Sequence, residues 1–341
     1  VETQTGDFHG TRGRTVGDGG GVRGRDRAVL PEGGLEVGHL REVDARRLLV
    51  GVAEPNARQT EFVGRTLGCG TVPDVGKLLD YGVDAVTIAA PTHLHRDLAL
   101  TCIARGVNVL VEKPIASSVE QGYDVIKAAR RAGVILMVGH IERFNPAAQT
   151  IKDAIRGEDI LSIAITRVGP FPPRMSNVGI VIDLAVHDID LIRWFTGSEI
   201  IEVQPQLSSA RAEREDIALL QFRTASGVLA HINTNWLTPF KARTVQVATK
   251  RKYIVGDLLA RQVTEYFGFQ PDGSYSMRHL SVGYAEPLRA ELSSFVHAIR
   301  TGSAPPVDGE EGVASLEIAI RCLEHRSPGA EDLRVARLAA L

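Results

Sequence analysis

The sequence predicts two architectures in one chain: a doubly wound α/β domain on a parallel sheet, then an α+β domain with an open-faced, mainly antiparallel sheet. Three observations predict this. Apolar strand-like runs alternate with helical stretches from residue 48 to residue 138. After residue 145 the rhythm changes to consecutive strands joined by short turns. The length, 341 residues, exceeds what one hydrophobic core comfortably spans.

The first domain reads in order. Leu48 to Ala53 is a continuous apolar run, the pattern of a strand buried on both faces. Pro73-Asp74 opens a helix that Gly82 closes, and Val83 to Ala90 is the next buried strand. A helix from His95 stops at Gly106, and Val107 to Val111 is a further strand. Ser118 with Gln121 forms a capping box for a helix that Gly133 ends, and Val134 to Val138 follows as strand. Short connections between such elements make right-handed βαβ units.

In the second half, Asn145-Pro146 places a cap and a proline at a helix start. Strands are predicted near 161–168, 200–208, 216–222, 228–235, 244–249, 253–257 and 262–267, with Ala225-Ser226-Gly227 as a hairpin turn. Helices are predicted from Asp183 to Thr196, stopped by Gly197, and near 287–300 and 309–324. The domains expected are 1–140 and 141–330, with 331–341 as a tail.

Composition narrows the class. Acidic residues number 41 against 39 basic ones, so no field marks a nucleic-acid or anionic-membrane binder. No apolar run approaches the roughly 20 residues of a membrane span, and no signal-peptide core is present, so a cytoplasmic protein is expected. Cys69, Cys102 and Cys322 are odd in number, widely spaced and set among apolar neighbours. They read as reduced core thiols rather than a disulfide framework or a zinc site. No metal site is expected, since His93 and His95 lack a third ligand.

Residues that carry chemistry cluster at predicted strand ends, where open parallel sheets bind ligands. Glu54 ends the strand from Leu48, where a carboxylate accepts from an adenosine ribose hydroxyl and repels a 2′-phosphate. Ala90, Pro91 and Thr92 let a flat ring approach the backbone, and Thr92 and His95 are expected to point into the cleft. Glu112-Lys113-Pro114 ends another strand, placing a lysine where it can donate to a substrate oxygen. Asp183 and His187 are spaced i, i+4 and are expected on one helix face, the carboxylate raising the histidine pKa and orienting it as a general base.

Taken in order, Ala90-Pro91-Thr92 with His95, Glu112-Lys113-Pro114, Gly139-His140 with Arg143-Phe144, and Asp183-x-x-x-His187 resemble the glucose–fructose oxidoreductase / inositol dehydrogenase / rhizopine-catabolism (Gfo/Idh/MocA) family. The closing segments Glu286-Pro287-Leu288-Arg289-Ala290-Glu291-Leu292 and Asp308-Gly309-Glu310-Glu311-Gly312 extend the likeness. The resemblance implies a Rossmann domain binding NAD, with NADP as the alternative, and hydride transfer on sugar hydroxyls. It implies Lys113, Asp183 and His187 as catalytic residues. Gly34, Gly38, Glu54, Ala90, Pro91, Thr92, His95, Glu112 and Lys113 would contact the cofactor. It also implies a homodimer or homotetramer formed through the C-terminal sheet. The stretches His140–Pro146 and Asn235–Lys241 resemble the branch that oxidises UDP-N-acetylglucosamine at its 3-position. His140, Arg143, Asn145, Arg174 and Lys241 are then candidate substrate contacts, with Arg167 and Arg243 as further cations for a diphosphate. Inositol or another free sugar is the alternative substrate, and a non-catalytic cofactor-binding regulator the alternative class.

The front of the chain departs from this pattern. A strand running into Gly-x-Gly-x-x-Gly is expected there, but the nearest match, Gly33-Gly34-Leu35-Glu36-Val37-Gly38, has the wrong spacing. Residues 1–34 hold 10 of the 34 glycines and little that is apolar. Residues 1–33 are therefore read as atypical, disordered or out of frame, with residues 1–30 adding little to the core.

Overall fold

Two sheets divide the apolar strands between them. The computed structural model describes residues 27–30, 48–172 and 178–325. The first sheet comprises Arg27–Leu30 (β1), Leu48–Ala53 (β2), Gly70–Val72 (β3), Ala85–Ile88 (β4), Asn108–Glu112 (β5) and Leu136–Gly139 (β6). Its order is β3-β2-β1-β4-β5-β6 and every pair is parallel. Ala57–Leu67 (α1), Val75–Leu79 (α2), Thr92–Ala104 (α3) and Val119–Ala132 (α4) connect the strands. Val109, Leu110 and Val111 of β5 are wholly buried, the signature of a strand covered on both faces. Half of the expected capping box is present: the Ser118 hydroxyl accepts from the Gln121 amide at 3.3 Å, the Gln121 side chain accepts from the Ser117 amide rather than from Ser118, and Gly133 ends α4 at φ 65°.

One expectation is corrected here. Within residues 1–33, read as atypical, disordered or out of frame, Arg27–Leu30 forms β1 between β2 and β4, at the centre of the sheet. Four residues suffice because a central strand is paired on both edges. Residues 1–26, Gly34, Gly38, Arg174 and the tail 331–341 lie outside the described residues.

The second sheet carries Ile160–Pro170 (β7), Ile200–Ser208 (β8), Ile217–Thr224 (β9), Leu229–Asn235 (β10), Leu237–Thr249 (β11), Lys252–Asp257 (β12), Gln262–Phe267 (β13) and Ser276–Leu280 (β14). The order is β14-β13-β12-β11-β7-β10-β9-β8, antiparallel except for the β7–β10 pair. Strands β1, β3 and β14 went unread in the sequence, being short or lacking an apolar alternation. Helices Pro146–Ala154 (α5), Val186–Thr196 (α6) and Gly309–Glu324 (α8) supply side chains to the core under one face. On the other face Leu161, Ile201, Leu219 and Leu229 are exposed.

Pro287–Thr301 (α7) and the first half of α8 return to the first domain, where Leu292, Phe295, Val313 and Leu316 join its core. Further along α8, Ile318, Ala319 and Cys322 join the core of the second sheet. That close seat explains Gly312, since a Cβ there would meet Val138 at 2.6 Å. Cys102 and Cys322 are buried free thiols pushed up to about 12 by burial, whereas Cys69 is only half-buried.

Candidate active site

The carboxyl end of β5 faces the start of α6, and this junction brings three candidate residues together. Lys113 follows β5 directly, and its ammonium donates to the Asp183 backbone carbonyl at 2.7 Å and to Asp183 Oδ1 at 3.1 Å. An ammonium has three donors, so one remains for a ligand. The lysine side chain retains 17% exposure, which keeps that donor reachable.

Asp183 and His187 do not form the expected carboxylate–imidazole pair. Residues Val181–Ala185 make a π-helical turn, in which the Val186 amide donates to the Val181 carbonyl, so the i, i+4 face relation is lost before α6 begins. The Asp183 carboxylate therefore serves Lys113. His187 is half-buried, and its Nδ1 is enclosed with no hydrogen-bond partner among the described residues. Its pKa is held well below the ordinary value, first by burial and then by the positive charges of Lys113 and Arg167. The direction is opposite to the sequence expectation. The imidazole is consequently neutral near pH 7, which is the form that accepts a proton.

Around this centre, α6 is buried on almost all sides, and its charged residues are matched individually. Arg167 of β7 grips Asp188 through Nη2 at 2.7 Å and Glu142 through Nη1 at 2.8 Å. Arg143 donates to both oxygens of Asp190 at 2.7 and 2.8 Å and also pairs with Glu311. Arg193 reaches Glu199 and Glu311. The sequence contained a signal for this network that went unused. Asp188 and Asp190 stand within an apolar helix, and such carboxylates must find cations when buried.

These pairs correct several predicted contacts. His140, Arg143 and Asn145 do not line an open cleft: all three are buried. The Asn145 amide donates to Glu142 and to the Leu258 carbonyl, and its oxygen caps the Ala147 amide. Arg167 is likewise committed to its carboxylates and carries no ligand-facing role. His95 is 1% exposed and does not point into the cleft. Its Nδ1 lies 2.8 Å from the Pro114 carbonyl and its Nε2 2.7 Å from the Ala90 carbonyl, and a neutral ring donates to one of the two. Burial lowers its pKa.

Lys241 is exposed, and Arg243 gives Glu142 only its Nη1, at 2.9 Å, keeping 34% side-chain exposure. Glu112 packs against Gly139, where a Cβ would come within 3.0 Å of its carboxyl group. Near it, Glu291 of α7 is wholly enclosed with neither carboxyl oxygen bonded among the described residues. Burial, then the nearby Glu112, holds the Glu291 pKa well above the usual carboxylate range. Burial beside a second carboxyl thus favours the protonated form of Glu291.

A dinucleotide fits the first sheet. Its strand order is that of the dinucleotide-binding fold, with the crevice where the order reverses between β1 and β4. Glu54 ends β2, and its Oε1 accepts from the Asn56 amide at 2.8 Å, leaving Oε2 without a protein partner among the described residues. Ala90 and Thr92 are half-buried and Pro91 exposed at the end of β4. The exposed His93 belongs to the surface of α3.

Comparison with known proteins agrees with this geometry. Residues 33–140 match the family model described as "Oxidoreductase family, NAD-binding Rossmann fold", and residues 160–255 match the GFO/IDH/MocA C-terminal domain. A UDP-N-acetylglucosamine 3-dehydrogenase of Acidithiobacillus ferrooxidans is 30% identical over 299 residues, covering 85% of this chain and 95% of the relative. An inositol 2-dehydrogenase of Rubrobacter xylanophilus is 30% identical over 311 residues, covering 86% of each. The solved structure of the UDP-N-acetylglucosamine 3-dehydrogenase GnnA from Acidithiobacillus ferrooxidans superposes with a TM-score of 0.81 at 27% identity, over 88% of this chain and 97% of that one.

Proposed function

Because the chain belongs to the Gfo/Idh/MocA family of NAD-dependent sugar and polyol oxidoreductases, we propose that it oxidises a nucleotide-sugar secondary alcohol, the substrate being UDP-N-acetylglucosamine and the reacting carbon C3. The observation that carries the reading is the Lys113 ammonium, fixed on Asp183 with one donor spare, beside a neutral His187. His187 takes the proton of the substrate hydroxyl, and Lys113 donates to the same oxygen as negative charge develops on it. Asp183 orients Lys113. The nicotinamide coenzyme, when bound, supplies the hydride acceptor. Glu54, Ala90, Pro91, Thr92, Glu112 and Lys113 are the described residues we assign to holding it.

The nucleotide-sugar is supported by the similar Acidithiobacillus enzyme and by the cations Lys241 and Arg243, whose uncommitted N–H groups suit a diphosphate. An inositol is the second reading, favoured by the equally identical Rubrobacter relative. We also propose self-association through the uncovered sheet face bearing Leu161, Leu219 and Leu229.

The test is NADH formation by the purified chain with UDP-N-acetylglucosamine, N-acetylglucosamine, myo-inositol and glucose. The highest kcat/KM is expected with UDP-N-acetylglucosamine. A preference for inositol overturns the nucleotide-sugar assignment, and NADH binding without turnover of any compound indicates a regulator.

Glu54 leads to a second measurable expectation. Its free carboxylate oxygen accepts from a ribose hydroxyl but repels a phosphate. We expect kcat/KM with NAD to exceed that with NADP by about tenfold or more, since like-charge juxtaposition costs several kcal/mol. The substitution Glu54→Gln should narrow the gap. Equal efficiency with NADP in the unaltered chain removes Glu54 from cofactor selection.

A further inference from the structure

His140 lies against His187 with its ring edge-on, the centroids 6.4 Å apart and the planes at 90°. Both of its ring nitrogens are enclosed without a hydrogen-bond partner among the described residues, and so is His187 Nδ1. His140 Nδ1 stands 3.8 Å from Asp190 Oδ2. Asp190 cannot turn away, because Arg143 holds both its oxygens and the Ser315 hydroxyl donates to Oδ1 at 3.2 Å.

The protonation pattern follows from these positions. If His187 accepts a proton at Nε2, its Nδ1 carries hydrogen and is a buried donor in need of an acceptor. If His140 turns its Nδ1–H toward the Asp190 carboxylate, its Nε2 is a buried acceptor in need of a donor. One unmet donor and one unmet acceptor thus lie on neighbouring rings, and centroids 6.4 Å apart are too distant for a direct bond between them.

We propose that His140 is a positioning residue which, backed by Asp190, accepts from His187 Nδ1–H through one water, holds the His187 ring and supports the positive charge it gains. This rests on the assignment of His187 as the base. No proton leaves the pair: the substrate proton stays on His187 Nε2, and Nδ1–H keeps its own. The charges that act most strongly on the two rings besides Asp190 are Lys113, Arg143, Arg167, Arg193 and Arg243, all cations, while the nearby carboxylates Asp183, Asp188 and Glu142 are engaged by Lys113 and Arg167.

Two experiments test it. Nitrogen-15 histidine NMR of the unaltered chain at pH 7 should show both rings neutral with hydrogen on Nδ1. Hydrogen on Nε2 of either ring overturns the proposal, whether or not any sugar is turned over. In kinetics, His140→Leu should lower kcat about 10- to 100-fold, with KM nearly unchanged. It should also move the acid limb of kcat/KM down by about one pH unit, because a charge-assisted hydrogen bond is lost. His140→Gln, which keeps an acceptor, should restore most of both. Loss of activity with an unmoved limb, or failure of glutamine to rescue, assigns His140 a packing role only.

Discussion

Replacement of His187 by alanine is expected to lower kcat by about 10²–10⁴, the usual contribution of a positioned acid–base group, while NADH binding is retained. The retained binding follows from placement, since His187 stands at the start of α6 and not on the first sheet. Asparagine at the same position should be no better, because it accepts a hydrogen bond but not a proton. Stopped-flow or steady-state rates with fluorescence titration of NADH separate the two effects. A variant with near-native kcat removes His187 from proton transfer.

The same residue sets a pH expectation. Burial and nearby cations hold its pKa well below the ordinary 6.5. The rate of alcohol oxidation should therefore stay on its plateau as the pH falls through 6.5, and decline only below it. A limb at pH 7 or above contradicts the environment described. Stability has its own sign. Burial also lowers the pKa of His95 and His140, and all three return to ordinary values on unfolding. Below pH 6.5 the unfolded chain binds more protons than the folded one, so stability falls as the pH drops from 6.5 toward the folded-state values. Melting temperature against pH measures this directly.

Replacement of Lys113 by alanine should be comparably severe, with kcat reduced about 10²–10³, the cost of removing one preorganised donor from a developing oxyanion. Lys113→Arg should not rescue it, because a planar guanidinium cannot place one hydrogen on Asp183 Oδ1, another on its carbonyl and a third on substrate from the same atom. Since Asp183 acts through Lys113, the double variant with Asp183→Ala should be little worse than Lys113→Ala alone. Additive losses in that cycle separate the two residues and reassign Asp183.

Much of the fold was legible because its signals are local. The strand at Val109–Val111 follows from an unbroken apolar run, and α4 follows from Ser118 at one end and Gly133 at the other. The strand β1 was missed because Ala28-Val29-Leu30 is short, and only its two neighbours make it a strand. The strand β14 was missed because Ser276–Leu280 is almost wholly exposed and carries no core-facing alternation.

In the candidate site, Asp183 and His187 were singled out by their spacing and Lys113 by its place at a strand end, but the pairing was misread. Helical periodicity assumes a regular helix, and one π-helical turn at Val181–Ala185 rotates Asp183 away from His187 and toward a lysine 70 residues earlier. His95, His140, Arg143 and Arg167 were read as ligand-facing because their chemistry suits ligands. Burial decides otherwise, and burial depends on which elements pack over a residue. By itself the sequence determined the two-domain architecture, the parallel and antiparallel sheets and the family, all properties of local pattern and residue type. Tertiary structure alone decided which carboxylate serves which cation, and that His187 is neutral rather than charged. Those outcomes are set by distances between segments far apart in the chain and by exclusion of water, which no local pattern encodes.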